Sequence, residues 1–449
     1  MTKKQPIQLS DHFSYGRLIR FVLPSIAMMI FTSIYGVVDG LFVSRFAGKT
    51  PLAAINLIFP LIMILGAIGF MIGTGGTAIV AKTLGMGEKK KANEYFSLLV
   101  YVAIGTGVVL AALGIGFARP IAALLGAEGE MQDYCTVYAR IVLAALPFFM
   151  LQNIFQSFCI TAEKPKLGLF ITVGAGVTNI VLDALFVAVF EWGLVGAAAA
   201  TAASQFVGGI VPLIYFSTKN TSLLRLGRTK FYGNMLLHTC TNGSSELMSN
   251  ISSSIVTILY NSQLMHYAGE NGVAAYSAIM YVAFIFVAIF IGFVIGSSPI
   301  VSFHFGASNT GELKNLFKKS LIIVSITGVT MTVLALVLAA PLSELFVGYD
   351  RTLYEMTRRG FMIFAIHYII AGVNIFGSAF FTALNNGVIS AVISFLRTLV
   401  FQCAAVILLP LLFADPLDGI WYSVIASELL TLIVTVIFLV TKRKKYQYA

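Results

Sequence analysis

Apolar residues fill this chain in long blocks, and short polar or basic stretches separate them. A helix that crosses the hydrocarbon core of a bilayer needs roughly 20 predominantly apolar residues. By that criterion the blocks predict twelve membrane spans, near 18–44, 52–82, 95–118, 136–161, 167–190, 193–216, 232–265, 272–304, 317–341, 358–384, 387–413 and 418–441. The spans must be helices, because lipid offers no hydrogen-bond partners and a helix satisfies its own backbone. The first block follows Lys3, Lys4, Arg17 and Arg20 and is too long for the apolar core of a signal peptide. It is expected to stay as an uncleaved first span.

The pattern repeats. The sequence aligns with itself at an offset of 221 residues over more than 100 positions. Ala47-Gly48 falls on Ala268-Gly269, Gly75 on Gly296, and Gly85 on Gly306. Further along, Pro120 falls on Pro341, Asn153 on Asn374, and Thr161-Ala162 on Thr382-Ala383. Apolar composition gives chance matches of Ala, Ile and Val, but not of Gly, Pro, Asn and Thr at one offset. Six spans per repeat start both halves on the same side, which makes parallel repeats about an axis along the membrane normal. The expected fold is an all-α integral membrane protein of twelve helices in two six-helix lobes around a central cleft. The N-lobe is 1–217, a polar and basic linker is 218–231, and the C-lobe is 232–449.

Composition agrees. Of 449 residues, 58% are hydrophobic and 11% charged, too little charge to cover a soluble surface. A net charge of +10 raises nucleic acid as a partner, but the basic residues lie between spans. On the side of the N-terminus there are 21 Lys and Arg, counting those at span ends, on the other side 7, and Arg397 alone lies in the interior of a span. That bias predicts a multi-pass protein of the cell membrane with both termini cytoplasmic. The bilayer is then the expected partner, with no nucleic acid, and the chain is expected to act as a monomer. Cys135, Cys159, Cys240 and Cys403 are far apart, and neither they nor the five histidines show metal-ligand spacing. Gly48-Lys49-Thr50 resembles the end of a phosphate-binding loop, but position 43 is Val, so ATP is not expected to drive the protein. No cofactor is called for. An intramembrane enzyme is disfavoured, since no His-Glu metal motif, nucleophile elbow or Ser/His/Asp order emerges.

The candidate chemistry lies in the polar residues of the spans. Apart from Asp418 at the very start of the last span, only Asp39, Asp183, Glu246 and Glu428 are acids within them. An intramembrane carboxylate costs about 2.5–3.5 kcal/mol on insertion scales, so such groups face a cavity or a partner. Asp39 and Asp183 lie in the outer halves of spans 1 and 5 and meet if those helices pack together. Asn179 precedes Asp183 by four residues and shares its helix face. Thr201 is at a comparable depth on span 6, and Asn153 adds a carboxamide on span 4. Carboxylate, carbonyl and hydroxyl oxygens make a hard site suited to sodium. Alternatively, two carboxylates share one proton. For Asn153, Asn179 and Thr201, hydrogen bonding between helices is the plainer role. Glu246, near the middle of span 7, is a candidate for the cleft, or else a buried partner for Arg397 on span 11. Glu428 falls opposite Gln205 in the repeat, at a local offset of 223. Asp39 and Asp183 fall on Tyr260 and Ala404, which confines the carboxylate pair to the first half. Pro24 removes a backbone hydrogen bond from span 1 and is either a fixed kink or a hinge.

The chain resembles the multidrug and toxic compound extrusion (MATE) transporters, particularly their bacterial DinF-like and MepA-like branches. The resemblance covers essentially the whole chain. It rests on Pro24 with Val38-Asp39-Gly40-Leu41-Phe42-Val43, Gly85-Met86-Gly87, Asn153, Asn179 to Asp183, and Ser245-Glu246. It implies a cation site in the N-lobe at Asp39, Asn153, Asn179, Asp183 and Thr201. It also implies a helix-7 acid at Glu246. Tyr35, Arg397 and Asn374 are further candidate substrate contacts, and Pro24 is the candidate hinge. The implied activity is exchange of inward sodium or protons for outward amphipathic organic cations. One departure is the absence of an acid from Phe361 to Leu384, where some members carry one. The alternative is a flippase for lipid-linked saccharides of the same two-lobe plan. Related flippases often carry extra helices and a strongly basic cavity, whereas only Arg397 is basic in the interior of a span. A channel is disfavoured by the repeat with one asymmetric ion site.

Overall fold

The structure, a computed structural model, describes residues 7–42 and 49–449. The Ala47-Gly48 match of the repeat, Val43, Arg45 and the Gly48-Lys49 pair lie outside the described residues or their described side chains, as do Lys3 and Lys4.

Among the described residues, twelve helices form two lobes of six. In the N-lobe, α1 is Tyr15–Phe42, α2 is Lys49–Gly85 and α3 is Lys89–Leu124. Helix α4 is made of Gly129–Ala144 and Leu146–Thr161, bent by 52° between them. Helix α5 is Pro165–Asp183, continued by a π-helical turn, Ala184–Val189, and α6 is Gly193–Ser217. The C-lobe opens with Gly233–Gly306, one helical run broken at Gly269, where φ is 61° and ψ is −153°. Only glycine adopts that backbone without strain. The break divides the run into α7 (233–268) and α8 (270–306). Then follow α9, Thr310–Val347, and α10, made of Arg351–Ala365 and Tyr368–Ala383 and bent by 49°. Helix α11 runs from Gly387–Phe395 through a π-helical turn, Leu396–Val400, to Phe401–Leu408, and α12 is Pro416–Tyr446.

The offset of the repeat is visible in these boundaries. Helix α2 ends at Gly85 and α8 at Gly306, α3 begins at Lys89 and α9 at Thr310, and the bends of α4 and α10 fall at Ala145 and at Ile366 and His367. The fifth helix of each lobe carries a π-helical turn. Large apolar side chains line the outside of α3 (Val109, Leu113, Phe117) and of α9 (Ile326, Val333, Val337). Their spacing of four and seven residues makes lipid-facing stripes.

Glycines bring the lobes together near the face where both chain ends lie. A Cβ added to Gly243 of α7 would sit 1.9 Å from the carbonyl oxygen of Met71 on α2, and one on Gly75 would sit 2.2 Å from that of Thr239. The seam is reciprocal. Gly85 faces the backbone of Phe303, and Gly306 faces that of Lys82, which is 221 positions from Phe303. Such small residues allow helix backbones to touch, which is how helices associate where burial from water supplies little drive.

The lobes also exchange their first turns. Leu18, Phe21 and Val22 of α1 pack in a C-lobe core with Phe293, Val301 and Phe376. Met235 of α7 packs in the N-lobe core. The segment before α1 joins both lobes. The Leu9 amide donates to Glu163 of the N-lobe at 2.7 Å, and the Phe13 amide donates to Glu312 of the C-lobe at 2.9 Å. The linker belongs with the N-lobe by contact. The Arg225 amide donates to Asn93 Oδ1 at 2.6 Å, and the Gly227 amide to Ser97 Oγ at 3.0 Å, both on α3.

Candidate functional site

Helices α1 and α5 pack closely enough that Phe31 and Tyr35 fill the space above Gly176. One turn beyond Tyr35 on α1, Asp39 comes beside Asp183 and Asn179 of α5. Asp183 is fully buried at the last α-helical position before the π-helical turn. A π-bulge frees and re-aims backbone groups and is frequent at functional sites. Among the described residues no donor reaches Asp39 Oδ1 or either oxygen of Asp183, although all three are buried. Unpartnered buried oxygens on two adjacent carboxylates cost free energy that a shared proton or a bound cation removes. The residues present therefore fit a small cation or a proton.

The surroundings refine the sequence-derived set. Thr201 of α6 lies within hydrogen-bonding reach of Tyr138, whose hydroxyl end is in the field of both aspartates. Tyr35, expected among the substrate contacts, stands next to Asp39 and within reach of Gln152 on α4. Asn153 points elsewhere, donating through Nδ2 to the Gly66 carbonyl of α2 at 3.4 Å. That amide ties helices together, the plainer role named for it above. Tyr138 and Gln152 were not singled out in the sequence. An uncharged polar side chain in an apolar span carries no signal until its neighbours are known.

The C-lobe arranges its charges differently. Arg397 lies on the π-helical turn of α11. Its Nε and Nη2 each reach Glu428 Oε1 of α12 at 2.8 Å. Asn374 of α10 donates to Glu428 Oε2 at 2.6 Å and to the Glu428 carbonyl at 2.9 Å. His367, buried at the bend of α10, is in the field of both charged partners and bonds through Nδ1 to the Phe364 carbonyl. The partner of Arg397 is thus Glu428 and not Glu246, which corrects the pairing considered from the sequence. Arg397 and Asn374, both expected to contact substrate, are committed to that carboxylate. Glu246 is half-buried on α7 and makes no ion pair among the described residues, although it lies within the field of Arg397. Tyr260, which occupies the position of Asp39 in the repeat, is buried and hydrogen-bonded to Ser423 at 2.5 Å.

Pro24 sits within the part of α1 that packs on the C-lobe, and Ile26 beyond it still lies against Gly292 of α8. Just before the proline, Val22 packs in the C-lobe core and against Gly296 of α8; farther along, Met28 contacts Gly168 of α5. The helix continues unbroken through the proline. No cluster of three or more metal-ligating side chains is found among the described residues.

Comparison with known proteins agrees with this architecture. The MatE family model matches residues 24–185 and 247–407, one segment in each lobe. The multidrug export protein MepA of Staphylococcus aureus (strain MRSA252) is 24% identical over 425 residues, covering 93% of this chain and 92% of its own. The protein of that name from Staphylococcus haemolyticus (strain JCSC1435) is 25% identical over 341 residues, covering 76% of this chain and 75% of its own. Among solved structures, the outward-facing conformation of a multidrug resistance MATE family transporter of the MOP superfamily superposes with a TM-score of 0.93. That match has 20% identity and covers 100% of both chains. A family match in both halves, on a fold of two six-helix lobes, places this chain in the MatE family, the MATE transporters, and makes it a multi-pass membrane transporter rather than an enzyme.

Proposed function

We propose that the protein is a secondary antiporter for multidrug efflux, which expels amphipathic organic cations in exchange for sodium ions or protons by alternating access of its lobes. The observation that carries this reading is the Asp39–Asp183 pair, three of whose buried oxygens lack a donor among the described residues. A site completed only by a cation makes cation entry a source of free energy. The exchanged first turns of α1 and α7 and the glycine seam supply the moving parts. Since α1 holds Asp39 at one end and packs on the C-lobe at the other, occupancy of the site acts on both lobes. Coupling requires that the cation bind one conformation more tightly than the other. Multidrug export by relatives that span nearly the whole chain supports the substrate class. The excess of basic residues on the terminal face supports a cytoplasmic location for both termini.

The test is flux of a fluorescent organic cation in proteoliposomes under sodium and pH gradients imposed separately. One gradient should drive uptake against the concentration of the dye, and collapse of that gradient should stop it. Dye movement that only equilibrates, whichever gradient is imposed, would contradict the antiporter reading.

A further inference from the structure

The C-lobe holds two acids within the membrane and one base, and the geometry decides which acid the base serves. Arg397 grips Glu428 through two nitrogens, and Asn374 fixes the other Glu428 oxygen. The Glu428 side chain is 5% exposed and that of Arg397 20%, so the pair is buried with only the guanidinium edge accessible. Burying such a pair is tolerable only when both charges are met by hydrogen bonds, as they are here. Glu246 lies within the field of the same Arg397 but forms no ion pair with it or with any other group among the described residues. The remaining titratable neighbour, His367, is spent on the Phe364 carbonyl in a bond that its neutral ring satisfies. In the N-lobe the residue 221 positions before Arg397 is Gly176, and there the space is taken by Phe31 and Tyr35. Among the described residues, no basic side chain stands beside the N-lobe acids, whereas the C-lobe has one beside Glu428.

We infer that Arg397 is a tethered cation that permanently neutralises Glu428, so that the C-lobe presents one net negative charge, at Glu246, and selects monocationic over dicationic substrates. This rests on the efflux reading above and adds the charge class of the substrate. Arg397 is a positioning residue in this scheme. It sets how much charge the lobe offers without itself contacting the cargo. Since water is sparse at these positions, one extra unpaired carboxylate changes the attraction for a second positive charge strongly.

The experiment measures equilibrium binding to the purified full chain of tetraphenylphosphonium, a bis-triphenylphosphonium dication, and a neutral amphiphile of similar size. The wild type should bind the monocation at least as tightly as the dication. Arg397→Met exposes the Glu428 charge and should shift the dication-to-monocation affinity ratio at least tenfold toward the dication. Glu428→Gln leaves Arg397 to oppose Glu246 and should weaken both cations at least tenfold while sparing the neutral compound. The double variant Arg397→Met with Glu428→Gln strands no charge. It should fold even if neither single variant does, and should bind with the wild-type ratio. An unchanged ratio in Arg397→Met, unchanged cation binding in Glu428→Gln, or an altered ratio in the double variant would each overturn the assignment. A wild type that binds neither cation would instead overturn the efflux reading on which it rests.

Discussion

In the N-lobe, Asp39 and Asp183 lie side by side with three buried oxygens that no donor among the described residues reaches. In the C-lobe, Glu428 is held by an arginine and an asparagine, and Tyr260 stands where the repeat would place Asp39. The helices around these groups are the same, down to the π-helical turn in the fifth helix of each lobe and the bends of α4 and α10. Two copies of one scaffold have therefore taken opposite solutions to a carboxylate in low dielectric. On the antiporter reading proposed above, one leaves the counter-charge to come and go; the other builds it in. An exchangeable counter-charge can couple two transport events, whereas a covalently attached one can only hold shape or set the field.

Substitutions that neutralise one acid at a time should separate the lobes most sharply. Asp183→Asn is expected to lower coupled export about 100-fold, the upper end of ordinary coupling energies, with the melting temperature unchanged or raised. Glu428→Gln should act in the opposite sense. Leaving a buried partner unpaired costs about 3–5 kcal/mol, so thermal unfolding of the purified protein should occur at a clearly lower temperature. Equal destabilisation by the two changes would erase the distinction between the lobes.

A smaller effect is expected at the acid that neither lobe pairs. Glu246→Gln should weaken binding of cationic substrates about tenfold, equivalent to about 1.4 kcal/mol, and leave neutral ones nearly unchanged. Equal loss for both classes would make Glu246 structural. At Pro24, Ala restores a backbone donor and stiffens α1 between the two lobe cores. Cation affinity should survive, while the effect of the cation on drug affinity shrinks; an unchanged coupling would point to simple charge competition. Smallest of all, Tyr138→Phe removes one hydroxyl beside Thr201 and should weaken cation binding by about 1 kcal/mol, measured by titration of the purified protein.

The architecture was legible because lipid imposes it. Twenty-residue apolar blocks, the basic bias and the 221-residue offset each follow from one strong constraint. Asp39, Asp183 and Asn179 were legible for a related reason, since a carboxylate in a span is expensive enough to stand out. The partnership of Arg397 with Glu428 was not. They are 31 positions apart on different helices, and no periodicity links them. Asn153 and Asn374 match in sequence, yet one serves a backbone carbonyl of α2 and the other a carboxylate. A proline, Pro147, accompanies the bend in α4, but no proline stands at the bend in α10, so packing makes the second bend without a sequence signal. The exchanged first turns of α1 and α7 depend on how the lobes dock, which hydropathy does not describe.

The contrast between an exchangeable and a tethered counter-charge is tested most directly by cation-dependent thermal stability. The purified wild type would be titrated with sodium at fixed pH, and with protons at fixed potassium. A cation that binds only the folded state stabilises it by about 2.7 kcal/mol at 100 times its dissociation constant. The account predicts one saturable stabilisation, by one of the two cations, that disappears in Asp183→Asn and persists in the Arg397→Met, Glu428→Gln double variant. Stabilisation that survives Asp183→Asn, or that is lost with the C-lobe pair, would contradict it.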